Sequence, residues 1–361
     1  MNTTLQIICL ACCLSLSFAA PLFSMDITTK GEIENLKKRL ESLEGKKVEK
    51  EALTIETLSK SLTFWGVIEV EGSYSKTEGL PESSDFVLAT AQIGTDLHIG
   101  EYVGGHIVFL HEEVDTEPVE IDEGNITVFK SYGDDGRYGV VAGKFYLPFG
   151  NFNSAMITDP LTLELAETND SAVMFSLESE KYELHAAVFN GATDSMGTRD
   201  NIDTFVAAIK FKPLAMVSLG AFYMNDIAET DNGLILDPSL YGGSVSGAGG
   251  YITLEIGKLA VDFEHITALE SFDAAVLAGD LTGPKPKAWN VEFGFSLMAK
   301  LGLAARYEKA NDFKADISRY GVVASYNIFE STVLAAEYLL EKPKGFGADI
   351  HSATVQLAFE F

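Results

Sequence analysis

The chain has 361 residues, a formal net charge of −27 at pH 7, 47% hydrophobic residues and three cysteines, with a mean hydropathy of +0.12. So acidic a chain disfavours nucleic acid, whose phosphates need cationic partners. Cys9, Cys12 and Cys13 fall in one short N-terminal stretch, which excludes a disulfide scaffold or a thiolate metal site in the remainder.

Residues 1–19 read as a signal peptide. Leu5 to Leu16 form an apolar core, and Ser17-Phe18-Ala19 supplies the small residues that a signal peptidase needs, so the expected mature chain starts near Ala20. A lipoprotein signal fits less well, because Cys9 stands where an aliphatic residue belongs ahead of Ala11-Cys12. Residues 20–60 are expected to form a periplasmic linker with a short helical stem. Ile33, Leu36, Leu40 and Leu43 make a helical seam between Glu and Lys residues, and after Gly45 a helical period resumes at Val48, Ala52, Ile55 and Leu58. This is either a short coiled coil that joins subunits through residues 31–60 or a solvated helix capping the next domain. Eight basic and eight acidic residues cancel between Ala20 and Lys60, so the whole net charge of −27 falls on residues 61–361.

From Leu62 the period becomes two. In LTFWGVIEVEGSY, Leu62, Phe64, Gly66, Ile68, Val70, Gly72 and Tyr74 share one face, while Thr63, Trp65, Val67, Glu69, Glu71 and Ser73 share the other. Strands are predicted at 62–74, 86–99, 102–112, 124–132, 137–147, 171–179, 182–190, 202–211, 214–225, 249–256, 259–267, 288–298, 301–309, 318–327, 331–341 and 348–361. Leu259, Val261 and Phe263 alternate with Asp262 and Glu264, and Trp289, Val291, Phe293, Phe295 and Leu297 alternate with Asn290, Glu292 and Ser296. In the last strand Ala353, Val355, Leu357, Phe359 and Phe361 share one face, and the chain ends on an aromatic, the pattern that barrel assembly machinery recognises.

Every second link is tight, around Gly100-Glu101, Asp134-Asp135, Glu180-Lys181, Lys212-Pro213, Gly257-Lys258, Ala299-Lys300 and Phe329-Glu330. The others are mostly longer and richer in Gly, Pro, Asp and Asn, as at 226–248 and 268–287. A soluble sandwich has no reason to gather its short turns at one end; an outer-membrane barrel does. No later stretch holds the roughly 18 apolar residues of a spanning helix. The expected fold class is all-β: a transmembrane antiparallel β-barrel of about 16 strands over residues 61–361, preceded by the short periplasmic coiled-coil helix, in the outer membrane of a Gram-negative cell with its N-terminus periplasmic. Its partners are then outer-membrane lipid and lipopolysaccharide, the latter bridged to acidic loops by divalent ions, together with the assembly machinery and a small solute.

The stretch GKFYLPFGNFNSAMITDPLTLELAET, residues 143–168, starts as a strand and then loses any period at Pro148, Gly150, Asn151, Asn153 and Asp159-Pro160. On the barrel reading it is the third external loop, which sixteen-stranded barrels commonly fold inward. Leu161, Leu163 and Leu165 would then pack on the inner wall, and Asn151, Asn153, Asp159, Glu164, Glu167, Asn169 and Asp170 form the candidate pore-constriction set. Alternatively, the stretch is an external flap whose leucines pack on neighbouring loops; exposed, they would form a sticky patch. Acidic lumen groups favour cations.

That block, with the stem, FWGVIEVEGSY as first strand, VFNG at 188–191 and the terminal AFEF, resembles the legiobactin-receptor (LbtU) type of siderophore porin over most of the chain. The resemblance implies an outer-membrane barrel that passes ferric siderophore without a plug domain. A general diffusion porin that favours cations is the alternative, and an adhesive or structural barrel a further one; an energised receptor needs about 22 strands and a plug. None of His98, His106, His111, His185, His265 and His351 sits in a nucleophile motif, and His111-Glu112-Glu113 is not HExxH. Enzymatic activity is therefore not expected, nor any cofactor or metal.

Overall fold

The computed structural model describes residues 61–113, 118–191, 201–236, 240–278, 281–345 and 347–361. The expected signal peptide and helical stem, residues 1–60, lie outside the described residues.

Sixteen strands form one closed barrel in which each pairs antiparallel with its sequence neighbours and β16 closes on β1. They are β1 Leu62–Thr77, β2 Ser83–Ile99, β3 Val103–His111, β4 Glu120–Tyr132, β5 Gly136–Tyr146, β6 Asn169–Glu178, β7 Tyr182–Phe189 and β8 Thr204–Leu214. The second half comprises β9 Val217–Met224, β10 Gly247–Ile256, β11 Leu259–Ala268, β12 Lys287–Met298, β13 Leu301–Asn311, β14 Ser318–Phe329, β15 Thr332–Lys342 and β16 Ile350–Glu360. One short helix, α1 Leu161–Ala166, lies between β5 and β6. Closure leaves no sheet edge, which is the condition for backbone polar groups to be satisfied in hydrocarbon. At the seam Gly66 and Phe361 exchange both backbone hydrogen bonds, at 3.0 and 3.1 Å. The Phe361 ring lies over Gly66, where a Cβ would come within 2.5 Å of its Cζ.

Period two puts lipid on one face and the lumen on the other. Outward Phe64, Ile126 and Phe293 expose 64, 61 and 52% of their surface, far more apolar exposure than water tolerates as a continuous belt. All seven links of two or three residues lie at one end of the barrel, here the turn end, and the longer links at the other, the loop end. One tight turn differs from the sequence reading. The link expected at Lys212-Pro213 falls at residues 215–216, because a bulge between Phe211 and Leu214 carries the strand past the proline. Pro213 has no N–H to give the ladder, and a bulge beside a turn is where a strand tolerates it. Lys212 N–H instead reaches across to Lys181 O, 2.7 Å away.

At the loop end, the inward positions of β7 to β13 are apolar: Phe189, Val206, Phe222, Met224, Ile266, Ala288 and Ala310 are buried. Over them fold Leu234, Ile235, Tyr241 and Val245 from the β9–β10 link, Phe272, Val276 and Leu281 from the β11–β12 link, and Phe313 and Ile317 from the β13–β14 link. The first two links pair with each other through Leu236 N–H to Val276 O, 2.8 Å, and Ala278 N–H to Leu234 O, 3.0 Å. The sequence reading took 226–248 and 268–287 as external loops. They stand at the loop end as expected, and their apolar residues fold over one side of the barrel mouth, because leaving them in water would cost roughly 25 cal/mol per Å².

Candidate functional site

The β5–β6 link, residues 147–168, leaves β5 beneath the apolar cluster and meets the inner wall on β11 to β15. Its start is pinned by Leu147 N–H to Thr168 O, 2.8 Å, and by the buried Phe149 ring, which meets Phe222 edge-on at 5.3 Å. Phe152 has φ 51°, a left-handed conformation uncommon for a bulky residue. It is held there because Asn151 N–H and Phe152 N–H converge on the two oxygens of Glu264, at 2.6 and 3.2 Å, a backbone nest around a carboxylate.

The same solution repeats along the segment. Without secondary structure its N–H groups have no ladder, and an unpaired buried donor costs about 1–3 kcal/mol; inward carboxylates supply the acceptors. Glu292 accepts from Ser154 Oγ and Ala155 N–H, both at 2.7 Å. Glu337 accepts from Ile157 N–H at 2.6 Å and Thr158 N–H at 3.1 Å. Glu308 accepts from Leu161 N–H at 2.8 Å, and Asp262 from Asn153 Nδ2 at 2.9 Å. Arg306, fully buried, reverses the polarity: its guanidinium donates to Ser154 Oγ at 2.8 Å and to the carbonyls of Thr158 and Asp159 at 2.8 and 3.2 Å, while pairing with Glu308 at 3.1 Å. Helix α1 then buries Leu161, Thr162, Leu165 and Ala166.

Between the outer edge of this segment and the wall of β16, β1 and β2 lies a cavity of about 660 Å³. Met156, Ile157, Thr158, Asp159 and Glu164 border it on one side, and Gln356, Glu69, Glu71 and Thr90 on the other. With Glu112 the lining holds five carboxylates, and no Lys or Arg among the described residues. The cations sit behind the segment: Arg319 bonds Glu164 and Glu341, and Lys314 Nζ lies 3.0 Å from Glu164. Desolvation inside the lumen, reinforced by the charge of Glu164, pushes the Asp159 carboxyl up from its ordinary range, although Asp159 itself is exposed to the cavity.

Of the seven residues singled out in the sequence, Asp159 and Glu164 line the cavity. Asn151 and Asn153 are wall anchors. The remaining three lie at the return to β6: Asn169 bonds Asp122 Oδ1 at 2.9 Å through its amide and Asp231 Oδ2 at 2.8 Å through its N–H, and Asp170 accepts from the Ser171 N–H. There Asp231 N–H also donates to Glu167 O, 2.9 Å, which latches the β9–β10 link to the end of α1. Burial, then the charges of Asp159 and Asp231, raise Glu167 to about 7; Asp231, although exposed, rises to about 6, chiefly by desolvation from the surrounding links. Sequence reasoning missed Glu308, Glu337, Arg306 and Arg319. The signal was present, because each stands directly beside an outward tyrosine, Tyr307, Tyr338 or Tyr320. Asp262 and His265 face opposite sides of β11, and His265 Nδ1 meets Ala288 O at 3.1 Å, so they form no dyad. His106 pairs instead with Asp96, 2.7 Å away, beside Trp65.

The sequence profile of Gram-negative porins matches residues 121–344, more than half of the chain. A UPF0422 protein of Coxiella burnetii is 24% identical over 299 residues, 77% of this chain and 63% of that protein. A UPF0422 protein of Legionella pneumophila subsp. pneumophila is 22% identical over 288 residues, 70% of this chain and 54% of the other. The chain thus spans between about half and just under two thirds of the length of these relatives. Among solved structures, the anion-selective porin from Comamonas acidovorans superposes with a TM-score of 0.60 at 10% identity, covering 83% of this chain and 99% of that one. Salmonella typhi OmpF, solved in complex with daunomycin, gives 0.60 at 11% identity over 83% and 97%. At such identities these likenesses speak for the fold alone.

Proposed function

This chain belongs to the Gram-negative porin family, and from that premise we propose that it is a passive outer-membrane channel for small solutes. Its narrow section lies between residues 156–164 and the wall of β16, β1 and β2, and it favours cations. On this reading the turn end faces the periplasm, as short turns do in outer-membrane barrels.

The observation that carries the proposal is the lining of the cavity: five carboxylates on its two sides, of which Glu164 is matched by Arg319 and Lys314 from behind the anchored segment, while Arg306 is turned to the segment's backbone. Carboxylates in a narrow passage with low-dielectric walls focus their field on the permeating ion. Glu69, Glu71 and Asp159 each contribute about 1 kcal/mol at an effective dielectric constant near 20 after screening, roughly a fivefold change in local cation concentration. A ferric siderophore, the cargo implied by the sequence resemblance, is compatible with this field if the complex is neutral or cationic; an anionic carboxylate complex would be opposed by it. Reversal potentials of the reconstituted protein in a KCl gradient test the first part, and an anion preference would overturn it. A specific siderophore route predicts saturable block of the current by micromolar ferric complex, whereas a general pore predicts none.

A further inference from the structure

We infer that the outer wall of the barrel carries a seat for one anionic glycerophospholipid of the leaflet on the turn side, its phosphate on Lys130 and one acyl chain in the groove floored by Val128 and Val140. A groove of about 590 Å³ opens on the lipid-facing side of β4, β5 and β6, lined by Tyr102, Val128, Lys130, Tyr138, Val140 and Phe175. Its two rows follow from the pairing register. Val128 lies opposite Val140, which lies opposite Phe175, so small branched side chains form a trough beside a ring. The next row toward the turn end pairs Lys130 with Tyr138, about 7 Å further along the strand. The groove is therefore apolar in its deeper part and polar at the turn end, with the tyrosines Tyr132 and Tyr182 joined hydroxyl to hydroxyl at 2.9 Å close by.

That gradient matches a lipid whose headgroup sits at the turn-side interface, where tyrosine rings belong. Lys130 is exposed and has no ion-pair partner among the described residues, in a chain whose net charge is −27. A lysine at an anionic membrane surface contributes about 1 kcal/mol, a preference of about fivefold for an anionic headgroup over a zwitterionic one. A second copy of this chain seated on the groove would instead have to bury an unpaired ammonium, which costs more than the apolar contact returns.

The test uses detergent-purified full chain exposed to mixed micelles holding phosphatidylglycerol and phosphatidylcholine of equal chain length, with retained lipid counted by native mass spectrometry. The expected result is one retained phosphatidylglycerol, preferred about fivefold, with the preference abolished by Lys130→Gln and kept by Lys130→Arg. Val140→Phe, which fills the trough from the lipid side, should reduce retention of both lipids. Equal retention of the two lipids by the unaltered chain, a preference that survives Lys130→Gln, or an oligomer that retains no lipid would each overturn the assignment.

Discussion

The two sides of the lumen are built from the same alternating strands and end up as different materials. On the side of β7 to β14 the inward residues are apolar near the loop end and ionic below it, and folded links cover them so completely that Phe149, Leu161, Phe313 and Glu308 have no exposed surface. On the side of β16, β1 and β2 the inward residues are Gln356, Glu69, Glu71 and Thr90, half-buried around open space. The difference teaches that carboxylate count alone does not describe this lumen. Glu264, Glu292, Glu308 and Glu337 serve as acceptors for a loop backbone, whereas Glu69, Glu71 and Asp159 face the open cavity.

Four experiments would break or sharpen that contrast. Deleting residues 151–168 has the largest expected effect: it removes the loop donors from five wall carboxylates and the inner border of the cavity, so single-channel conductance should rise at least about twofold, and unchanged conductance would dissolve the distinction between the two sides. Arg306→Met comes next, since it removes from the buried Glu308 and Glu292 the guanidinium that lies 3.1 and 3.9 Å away, leaving their charges less compensated. A loss of about 3 kcal/mol is expected, read as a lower unfolding midpoint together with noisier open-channel current. Glu71→Gln or Asp159→Asn should leave conductance nearly constant while cutting cation preference up to about fivefold, read as a shift in reversal potential; the same change at Glu264 should affect loop order far more than selectivity.

The smallest effect is on pH. Glu167 sits at about 7 against its ordinary 4.5, so the folded state holds this proton more tightly than the unfolded one. Its contribution to stability is complete below about pH 4.5 and disappears as pH rises through about 7, an effect of about 1 kcal/mol after allowance for its partial exposure. Amide exchange at Asp231, corrected for intrinsic rates, should be slower at pH 5 than at pH 8, and Glu167→Gln should reduce the difference to the part that Asp231's own titration supplies. Equal protection at both pH values in the unaltered chain would detach this latch from the titration.

The strands were readable in the sequence because period two survives whichever solvent fills the inside; all sixteen lie within about four residues of their expected bounds. The wet faces of β1, β11 and β12 were readable too, down to Glu69, Glu264 and Glu292. Their division into anchors and lining was not, since that depends on where residues 151–162 cross the lumen, a contact made at sequence separations of 102 to 180 residues. Leu234, Phe272 and Leu281 were passed over for a related reason. Single apolar residues in Gly- and Asp-rich links carry no period, and only the mouth of a closed barrel gives them something to bury against. Lys212-Pro213 misled because proline usually marks a turn, and here it marks a bulge two residues earlier.

The central claim, that solute passes along the carboxylate-lined side and not through the packed one, is tested most directly at position 159. In Asp159→Cys, which introduces the one thiol downstream of Ala20, a cationic methanethiosulfonate reagent should reduce single-channel current and an anionic one should restore the cation preference lost with the carboxylate. Current and reversal potential that ignore both reagents, with labelling of the thiol verified by mass, would contradict the account.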